Sequence, residues 1–343
     1  MDKSGAGAFT FAKASGNLGK SFIGSRTHLL FEQKSLSELW ALLFKTQLPL
    51  VPEVMLAEQI EKQAFSEFFA DYVGFVNMYD RPGQILKENL CVYEAENLKV
   101  IFAALCNHET ELPSLIDLGP FSTCHYECWP NLEKITAGTQ FAWFKELPSI
   151  HEQEKFEYRL DLQIVHHLWD SIQKTSGENR QGLERLFLAE YVIKNIVWAL
   201  RLRIYYKMEK EEILNHLIYV GDSARVEDPV AGPAIKILDY PLDEADAWSK
   251  WQYKDYLNPY VPGEVWKVDP TWIEKVSKAK LNQVAMSVFH QYPMTDCSIL
   301  AWFKIKEYEL TCIRTAVESL RLNINTEEAM KAINLSSDGG ING

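Results

Sequence analysis

The feature that most constrains the fold of this chain is an internal repeat. Three blocks of the sequence each open with a Trp, followed within a few residues by a Lys and then by Leu-Pro or a close variant. A repeat of this kind indicates one supersecondary unit that is used several times in succession. The three opening signatures are Trp40…Lys45-Thr46-Gln47-Leu48-Pro49, Trp143…Lys145-Glu146-Leu147-Pro148 and Trp248…Lys254-Asp255-Tyr256-Leu257-Asn258-Pro259.

A second signature closes each block, after a long stretch with helical patterning. The Leu of the first signature and the Asn or Cys of the second are 49, 48 and 55 residues apart in the three blocks. This regular spacing predicts an all-α fold of three similar helical bundles in a pseudo-threefold, funnel-like arrangement. The expected units are residues 1–130, 131–225 and 226–335, with a flexible tail at 336–343. The second signatures are Tyr93-Glu94-Ala95-Glu96-Asn97-Leu98-Lys99-Val100-Ile101, Glu190-Tyr191-Val192-Ile193-Lys194-Asn195-Ile196-Val197-Trp198 and Glu307-Tyr308-Glu309-Leu310-Thr311-Cys312-Ile313-Arg314.

The second signatures place polar side chains within otherwise apolar helices. Buried polar groups usually find hydrogen-bond partners, so Asn97 and Asn195 are expected to pin their helices to a neighbouring backbone. Direct contact with a partner protein is the alternative. The candidate residues, structural or partner-contacting, are Glu94, Asn97, Glu190, Asn195, Glu307 and Glu309.

Helix-start signals are clearest in the last third of the chain. Asp269 before Pro270 predicts a helix start, and Thr295 or Asp296 predicts the start of another helix that runs to about Leu322. Thr326 is expected to cap a short final helix, and Ser35 with Glu38 forms a predicted capping box. Strand-like patterning is scarce, with short candidates such as residues 8–12, 217–222 and 234–238, so a central sheet is not expected.

Composition excludes several classes of protein. No apolar stretch reaches the roughly 18 residues of a membrane span, and the N-terminus lacks the pattern of a signal peptide, so a cytoplasmic chain without direct membrane insertion is expected. The formal charge of −12 opposes binding to nucleic acid. Six Cys residues without a CxxC pair fit a reducing compartment.

Three kinds of chemistry compete with a purely structural function. Residues 14–21 resemble a phosphate-binding loop that ends in Gly19, Lys20 and Ser21, so a P-loop NTPase is the alternative function, although the parallel sheet that should follow is missing. Residues 124–128 place two Cys and one His within a short segment, but no second pair at zinc-site spacing accompanies them. No nucleophile and base can be assembled from the local sequence, so we expect no cofactor, no metal and no active site.

At the repeat signatures the chain resembles the C subunit of the V/A-type rotary ATPases, the relative of the d subunit of eukaryotic V-ATPases. The matching segments occur in the same order as in the family, and together they span nearly the whole chain. The sequence departs from the family pattern at Cys312, where the other blocks have Asn, and at residues 15–19, where the family tends to have a more basic helix. The matching segments are Ser35-Leu36-Ser37-Glu38-Leu39, Glu94-Ala95-Glu96-Asn97-Leu98-Lys99, residues 306–314 and residues 321–330.

The resemblance implies a function for the chain. It predicts a funnel of three helical domains, seated on the rotor ring of the membrane sector and receiving the foot of the central stalk. Such a protein transmits torque for proton or sodium transport and has no active site. Its location would be the cytoplasmic face of the membrane, where it is held through the ATPase complex.

Overall fold

The computed structural model describes residues 1–146 and 152–333, and the predicted all-α fold is confirmed. Those residues contain no β-strand. The predicted flexible tail at 336–343 lies outside the described residues. The α-helices are α1 Lys3–Leu18, α2 His28–Phe31, α3 Leu36–Leu43, α4 Glu53–Asn77, α5 Gln84–Cys106, α6 Leu132–Thr136, α7 Gln153–Gln173, α8 Glu178–Ile204, α9 Lys210–Leu214, α10 Gly232–Ile237, α11 Pro270–Gln291, α12 Asp296–Leu322 and α13 Thr326–Ala332. Short 3-10 turns lie at Gly24–Arg26, Gly119–Phe121, Tyr126–Cys128, Ala245–Trp248 and Lys254–Tyr256.

The long helices pack in a cyclic order. Three helices carry the second signatures, and we call α5, α8 and α12 the motif helices. Each motif helix packs closely against the first long helix of the following block: α5 against α7, and α8 against α11. The last motif helix, α12, packs back against α4 of the first block as well as against α11. The predicted block boundaries are therefore crossed by extensive packing.

Contacts along these pairs fix their direction. In the α5/α7 pair, Phe102 near the end of α5 stacks on Phe156 near the start of α7, with ring centroids 5.2 Å apart. In the α8/α11 pair, Arg201 lies 2.6 Å from Glu274, whereas Arg185 near the start of α8 reaches Ser287 near the end of α11. Both pairs are therefore antiparallel.

The α12/α4 pair is also antiparallel, and its interface carries much of the aromatic core. Phe75 near the end of α4 meets Trp302 near the start of α12, with ring centroids 4.8 Å apart. Glu61 near the start of α4 lies 3.3 Å from Arg314, in the second half of α12. Phe68 packs between these points against Phe303. Aromatic side chains contribute large buried areas, so this interface is a major source of stability.

A second, smaller core surrounds the C-terminal half of α8. Its centre is Trp248, which is fully buried and donates its indole N–H to the carbonyl of Pro241 at 2.7 Å. Trp251 and Trp266 pack against it at an angle. The first Trp of the third signature is therefore an anchor for the loop-rich segment between α10 and α11.

Several local predictions need correction. Residues 234–238, a strand candidate, lie in α10 and its C-cap, because a short apolar run fits a buried helix as well as a strand. Residues 8–12 lie within α1. The N-cap of α13 is Asn325, not Thr326, and its side chain accepts from the N–H of Glu327. Ser35 caps α3, but Glu38 reaches back to the N–H of Lys34 and not to that of Ser35.

Candidate functional site

The Asn of the first block forms a paired hydrogen bond with the backbone of one downstream residue. Asn97 donates its amide N–H to the carbonyl of Ile116 at 2.9 Å, and its amide oxygen accepts from the N–H of Ile116 at 2.8 Å. The side chain is 1% exposed. One side-chain amide thus satisfies both the N–H and the carbonyl of the partly buried Ile116, which fixes the irregular segment after α5 to the helix.

The Asn of the second block repeats this arrangement. Asn195 donates to the carbonyl of Ile218 at 2.6 Å and accepts from the N–H of Ile218 at 3.0 Å. It also reaches the carbonyl of Val230 at 3.2 Å. Equivalent residues of two blocks therefore hold an Ile at an equivalent position, and the sequence repeat corresponds to a repeated contact.

The third block lacks the amide, and a different side chain contacts the backbone of the corresponding residue, Ile333. Cys312 is fully buried, and burial raises the pKa of its thiol to about 12, so it stays neutral. The carbonyl of Ile333 is reached by the hydroxyl of Tyr308, at a long 3.4 Å. The departure from the family pattern at Cys312 therefore removes the paired hydrogen bond, and a weaker contact takes its place.

A Glu stands three residues before the Asn or Cys in the first and third blocks. Glu94 is fully buried and accepts from the N–H groups of Thr123 and Cys124 at 2.7 and 2.8 Å, and from the hydroxyl of Thr123 at 2.6 Å. Glu309 accepts from the N–H of Phe22 at 2.6 Å and pairs with Lys306. The two carboxylates bind backbone in different ways: Glu94 holds a loop of its own block, whereas Glu309 holds the N-terminal segment.

The second block has Val192 at this position, and another carboxylate takes over the backbone contacts. Asp228 accepts from the N–H groups of Val220 and Gly221 at 3.0 and 2.9 Å. It also accepts from those of Val230 and Ala231 at 2.9 and 2.8 Å. A buried carboxylate that accepts several backbone N–H groups stabilises an irregular loop without needing a cation.

The three motif helices meet at a charged network, which we call the junction. Lys304 of α12 lies 2.8 Å from Glu190 of α8 and 2.9 Å from Glu307. Glu307 accepts a hydrogen bond from the hydroxyl of Tyr93, on α5, at 2.8 Å. Lys194 completes the junction at 2.5 Å from Glu190. Each of the three blocks contributes at least one side chain to this network.

Burial makes the junction strongly electrostatic. The side chains of Lys304 and Glu190 are 12% and 11% exposed. Burial by itself would raise the pKa of Glu190, but Lys194 and Lys304 outweigh it and hold that pKa at about 2. Burial opposes a charged Lys304, yet Glu190 and Glu307 raise its pKa above the ordinary value. The ion pair is therefore fully charged at neutral pH.

The motif helices are closest at their N-terminal ends. A Cβ at Gly83, just before α5, would overlap the carboxylate of Asp296 at the start of α12. A Cβ at Gly182, in the first turns of α8, would press on Tyr292 and Cys297. Glycine leaves room for these side chains without a shift, so both glycines favour the approach of α5 and α8 to the start of α12. We call this the closed end.

Beyond the junction, each motif helix continues with a stripe of partly or fully exposed residues. Residues at i, i+4 and i+7 share a helix face, so the face that meets the junction continues along that stripe toward the C-terminus. The stripe positions are Tyr93, Glu96 and Val100 on α5, Glu190, Lys194, Trp198 and Arg201 on α8, and Lys304, Glu307, Thr311, Arg314 and Glu318 on α12. We call the surface made by these stripes the socket and the C-terminal ends of the three helices its mouth.

A cavity of about 180 Å³ lies beside the junction. Its lining comes from α8, α11 and α12 and includes Lys278 and Thr311 in addition to junction residues. Both acidic and basic side chains line the cavity. Among the described residues around it, no nucleophile lies next to a base. This arrangement suits contact with a protein surface more than it suits catalysis.

The alternative site at residues 14–21 does not have the geometry of a phosphate-binding loop. Residues 14–18 form the last turn of α1, where carbonyl oxygens point outward. The N–H groups of Gly19, Lys20 and Ser21 all donate to carbonyls of that turn. A phosphate needs free N–H groups at a helix N-terminus, so this sequence-based alternative is wrong.

The residues that the structure describes contain no cluster of three or more His, Cys, Asp or Glu side chains that could hold a metal ion. Cys124 is buried, where its backbone N–H is bound by Glu94, and the pKa of its thiol is raised by burial. None of the described helices combines the length and the apolar character that crossing a bilayer requires.

The structure brings Glu190 and Glu307 together at the junction, whereas Glu94, Asn97, Asn195 and Glu309 lie at separate backbone contacts. Sequence reasoning missed Tyr93 and Lys304, although both lie in or beside the second signatures. The available signal was their position: Tyr93 directly precedes Glu94, and Lys304 lies three residues before Glu307, on the same helix face. Their convergence depends on the packing of distant helices, which no local pattern contains.

Comparison with known proteins agrees with the resemblance. The profile of the ATP synthase (C/AC39) subunit family matches residues 27–332. An uncharacterized protein of Treponema pallidum (strain Nichols) is 27% identical over 320 residues, which are 93% of this chain and 94% of that protein. The profile match begins after α1, the part of the chain in which the sequence departs from the family pattern. The chain therefore belongs to the C/AC39 family, the non-catalytic C subunit of V/A-type ATP synthases, whose eukaryotic counterpart is the d subunit.

Proposed function

We propose that this protein links the central stalk of a V/A-type rotary ATPase to the rotor ring of its membrane sector and transmits torque between them. The observation that carries the proposal is the junction, where all three motif helices are joined at the base of a socket. A shaft seated in the socket would contact three helices at once. Its turning force would then spread over the whole molecule.

Torque transmission requires a body that resists shear between its helices. The junction links α5, α8 and α12 through charge-assisted hydrogen bonds, which are shorter and stronger than neutral ones. The paired hydrogen bonds of Asn97 and Asn195 hold the irregular segments against the same helices. Separating a buried ion pair leaves each charge without its partner, which costs free energy. The junction therefore favours a single arrangement of the helices.

We further propose that the three blocks are related by a pseudo-threefold axis through the socket. The cyclic packing of α5 on α7, α8 on α11 and α12 on α4 supports this arrangement. The repeated contacts of Asn97 and Asn195 support it as well. On this proposal the protein sits on the cytoplasmic face of the membrane, held by its partners in the complex.

Gene deletion and complementation test the function. Cells without the gene are complemented with the wild-type chain, with Lys304→Met or with Lys20→Met. Lys20 is an exposed lysine outside the junction, so Lys20→Met is a matched control. The complex is then purified through a stalk protein, and ATP-driven ion pumping is measured in membrane vesicles. We expect the wild-type chain and Lys20→Met to restore pumping and Lys304→Met to restore it only partly.

Two results would contradict the proposal. Full assembly and pumping in cells without the gene would show that the chain does not couple the stalk to the ring. Loss of pumping with Lys20→Met but not with Lys304→Met would remove the role assigned to the junction. The folding of each variant is checked by circular dichroism, so that loss of coupling is separated from loss of the protein.

A further inference from the structure

Two loops share a sequence pattern beyond the two signatures. Residues 49–54 read Pro-Leu-Val-Pro-Glu-Val, and residues 259–265 read Pro-Tyr-Val-Pro-Gly-Glu-Val, which differs mainly by one inserted Gly. We call them the first tip and the third tip. The first tip leads into α4 and the third tip precedes α11. Residues 148–152 of the second block, Pro-Ser-Ile-His-Glu, occupy the same place in the repeat.

Both tips expose large apolar side chains. Leu50 is 104% exposed and Val54 is 82% exposed in the first tip. Tyr260 and Val265 are 63% and 76% exposed in the third tip. A single exposed apolar side chain is ordinary in a soluble protein, but clusters on corresponding loops of a repeat indicate an interaction surface.

The two tips lie at the same end of the molecule. The first tip is next to the start of α4, where Glu61 contacts Arg314 in the second half of α12. The third tip is next to the start of α11, where Glu274 contacts Arg201 near the end of α8. The ends of α8 and α12 form the mouth of the socket, so both tips belong to the mouth.

Further exposed apolar side chains lie toward that end. Some are on the socket stripes and others are where the motif helices finish. They are Val100 and Trp198 on the stripes, Tyr205 and Tyr206 after α8, and Leu322 and Ile324 at the end of α12. These side chains lie on the socket stripes or at the mouth, so a partner that contacts the socket from the mouth would also meet the tips.

The charge of the tips favours a protein as their binding partner over a lipid surface. Each tip has one Glu, Glu53 or Glu264, and no Lys or Arg. Anionic headgroups attract basic segments, so an acidic tip on a chain with a net charge of −12 is poorly suited to them. Two prolines restrict the backbone of each tip, which lowers the entropy that docking costs.

We propose that the first and third tips grip the foot of the central stalk through apolar patches on the stalk proteins, while the socket receives its end. The proposal rests on the function proposed above and adds the surface and its chemistry. Docking at two separate points of one chain raises the effective local concentration at the second point after the first has engaged. The tips would therefore act together.

The test uses the full chain and the purified stalk proteins of the same complex. The variants are Leu50→Asp with Val54→Asp for the first tip, and Tyr260→Asp with Val265→Asp for the third tip. Phe9→Asp is the control, because Phe9 is 47% exposed on α1, whose Phe11 stacks on Phe289 near the end of α11, away from the mouth. Stalk binding and binding to the detergent-solubilised membrane sector are measured separately by calorimetry.

We expect each tip variant to bind the stalk at least tenfold more weakly, with membrane-sector binding and thermal unfolding unchanged, and Phe9→Asp to bind like the wild type. Unchanged stalk binding by folded tip variants would overturn the proposal. Loss of membrane-sector binding alone would assign the tips to the ring and overturn it too. If the wild-type chain binds neither partner, the proposed function fails as well, so the two failures are distinguishable. Tip-dependent dimerisation, or tip-dependent binding to phosphatidylserine vesicles, would also overturn it.

Discussion

The first and third motif helices use the same positions for different purposes. On α5, Glu94 and Asn97 hold segments that follow directly in the chain, at residues 116 and 122–124. On α12, Glu309 holds Phe22, which lies 287 residues away, and Cys312 has no amide with which to pair a backbone residue. The first block therefore stabilises itself locally, whereas the third block ties the N-terminal segment to the molecule.

The difference shows how a repeat can diverge without losing its fold. Helix packing is set by apolar faces, which all three blocks retain. The polar contacts on top of that packing depend on which irregular segment lies next to each helix, and those segments differ in length and course. A shared helical frame with variable polar contacts is the expected outcome, because the buried backbone of each segment must find its own partners.

The largest expected effect comes from removing the carboxylate that is bound locally. Glu94→Leu leaves the N–H groups of Thr123 and of the buried Cys124 without their acceptor and removes the hydrogen bond from the Thr123 hydroxyl, so we expect a loss of about 4 kcal/mol in the free energy of unfolding. Glu309→Leu leaves one such N–H and is expected to cost about half as much. Urea unfolding monitored by tryptophan fluorescence measures both. An equal loss for the two variants would remove the distinction between local and long-range anchoring.

The second prediction compares the amide with the thiol. Asn97→Ala leaves both backbone groups of Ile116 unpaired and is expected to cost about 2 to 3 kcal/mol. Cys312→Ala leaves only a small cavity and is expected to cost about 1 kcal/mol. Asn195→Ala serves as the internal check, since its contacts match those of Asn97. If Cys312→Ala lost as much stability as Asn97→Ala, the contacts of Cys312 would stabilise the third block as strongly as the paired hydrogen bond of Asn97 stabilises the first.

The third prediction concerns the junction, where the first and third blocks meet the second. The pKa of Glu190 is lowered from 4.5 to about 2 by Lys194 and Lys304, against the opposing effect of burial. A carboxyl group whose pKa is lowered in the folded state stabilises the fold at pH values above its ordinary pKa of 4.5. That stabilisation is lost as the pH falls from 4.5 toward the lowered pKa of about 2. We expect the difference in unfolding free energy between the wild type and Glu190→Gln to narrow by roughly 1 to 2 kcal/mol between pH 5 and pH 3. A difference that does not change with pH would contradict the assigned ion pairs.

The smallest expected effect is at Lys20, next to the segment that Glu309 anchors. Lys20 is exposed and its side chain makes no ion pair among the described residues, so Lys20→Ala should change stability by less than about 0.5 kcal/mol. ATP should not shift the melting temperature of either the wild type or the variant. A shift with ATP that disappears in Lys20→Ala would restore the nucleotide-binding hypothesis that the geometry of residues 14–21 excludes.

Sequence patterns are most informative where a local chemical signal determines the structure. Asp269 before Pro270 marks the start of α11, since the side chain of Asp269 accepts from the N–H of Thr271 at 2.8 Å. The predicted start of α12 after Thr295 and its predicted end at Leu322 are also confirmed. The strand prediction at residues 234–238 is wrong because so short an apolar run carries no period that separates a strand from a helix.

The candidate site was predictable only in part. The repeat identified Glu190 and Glu307, yet their partners come from other helices, and the network depends on three helices that converge over long sequence distances. The bond between Glu309 and the N–H of Phe22 likewise has no local signal. The three-dimensional neighbours of a buried polar group are set by tertiary packing, so the polar residues were predictable but the contacts they make were not.

The position of α12 has a consequence for synthesis of the protein. This helix packs against α1, α4, α5, α8 and α11, yet it is synthesised after all five of them. Until it emerges, Phe68 and Phe75 of α4 lack Phe303 and Trp302, against which they pack, and the N-terminal segment has no Glu309 to bind. A nascent chain that stops before residue 296 therefore exposes an unpaired apolar face, and chaperones and proteases would recognise the incomplete product.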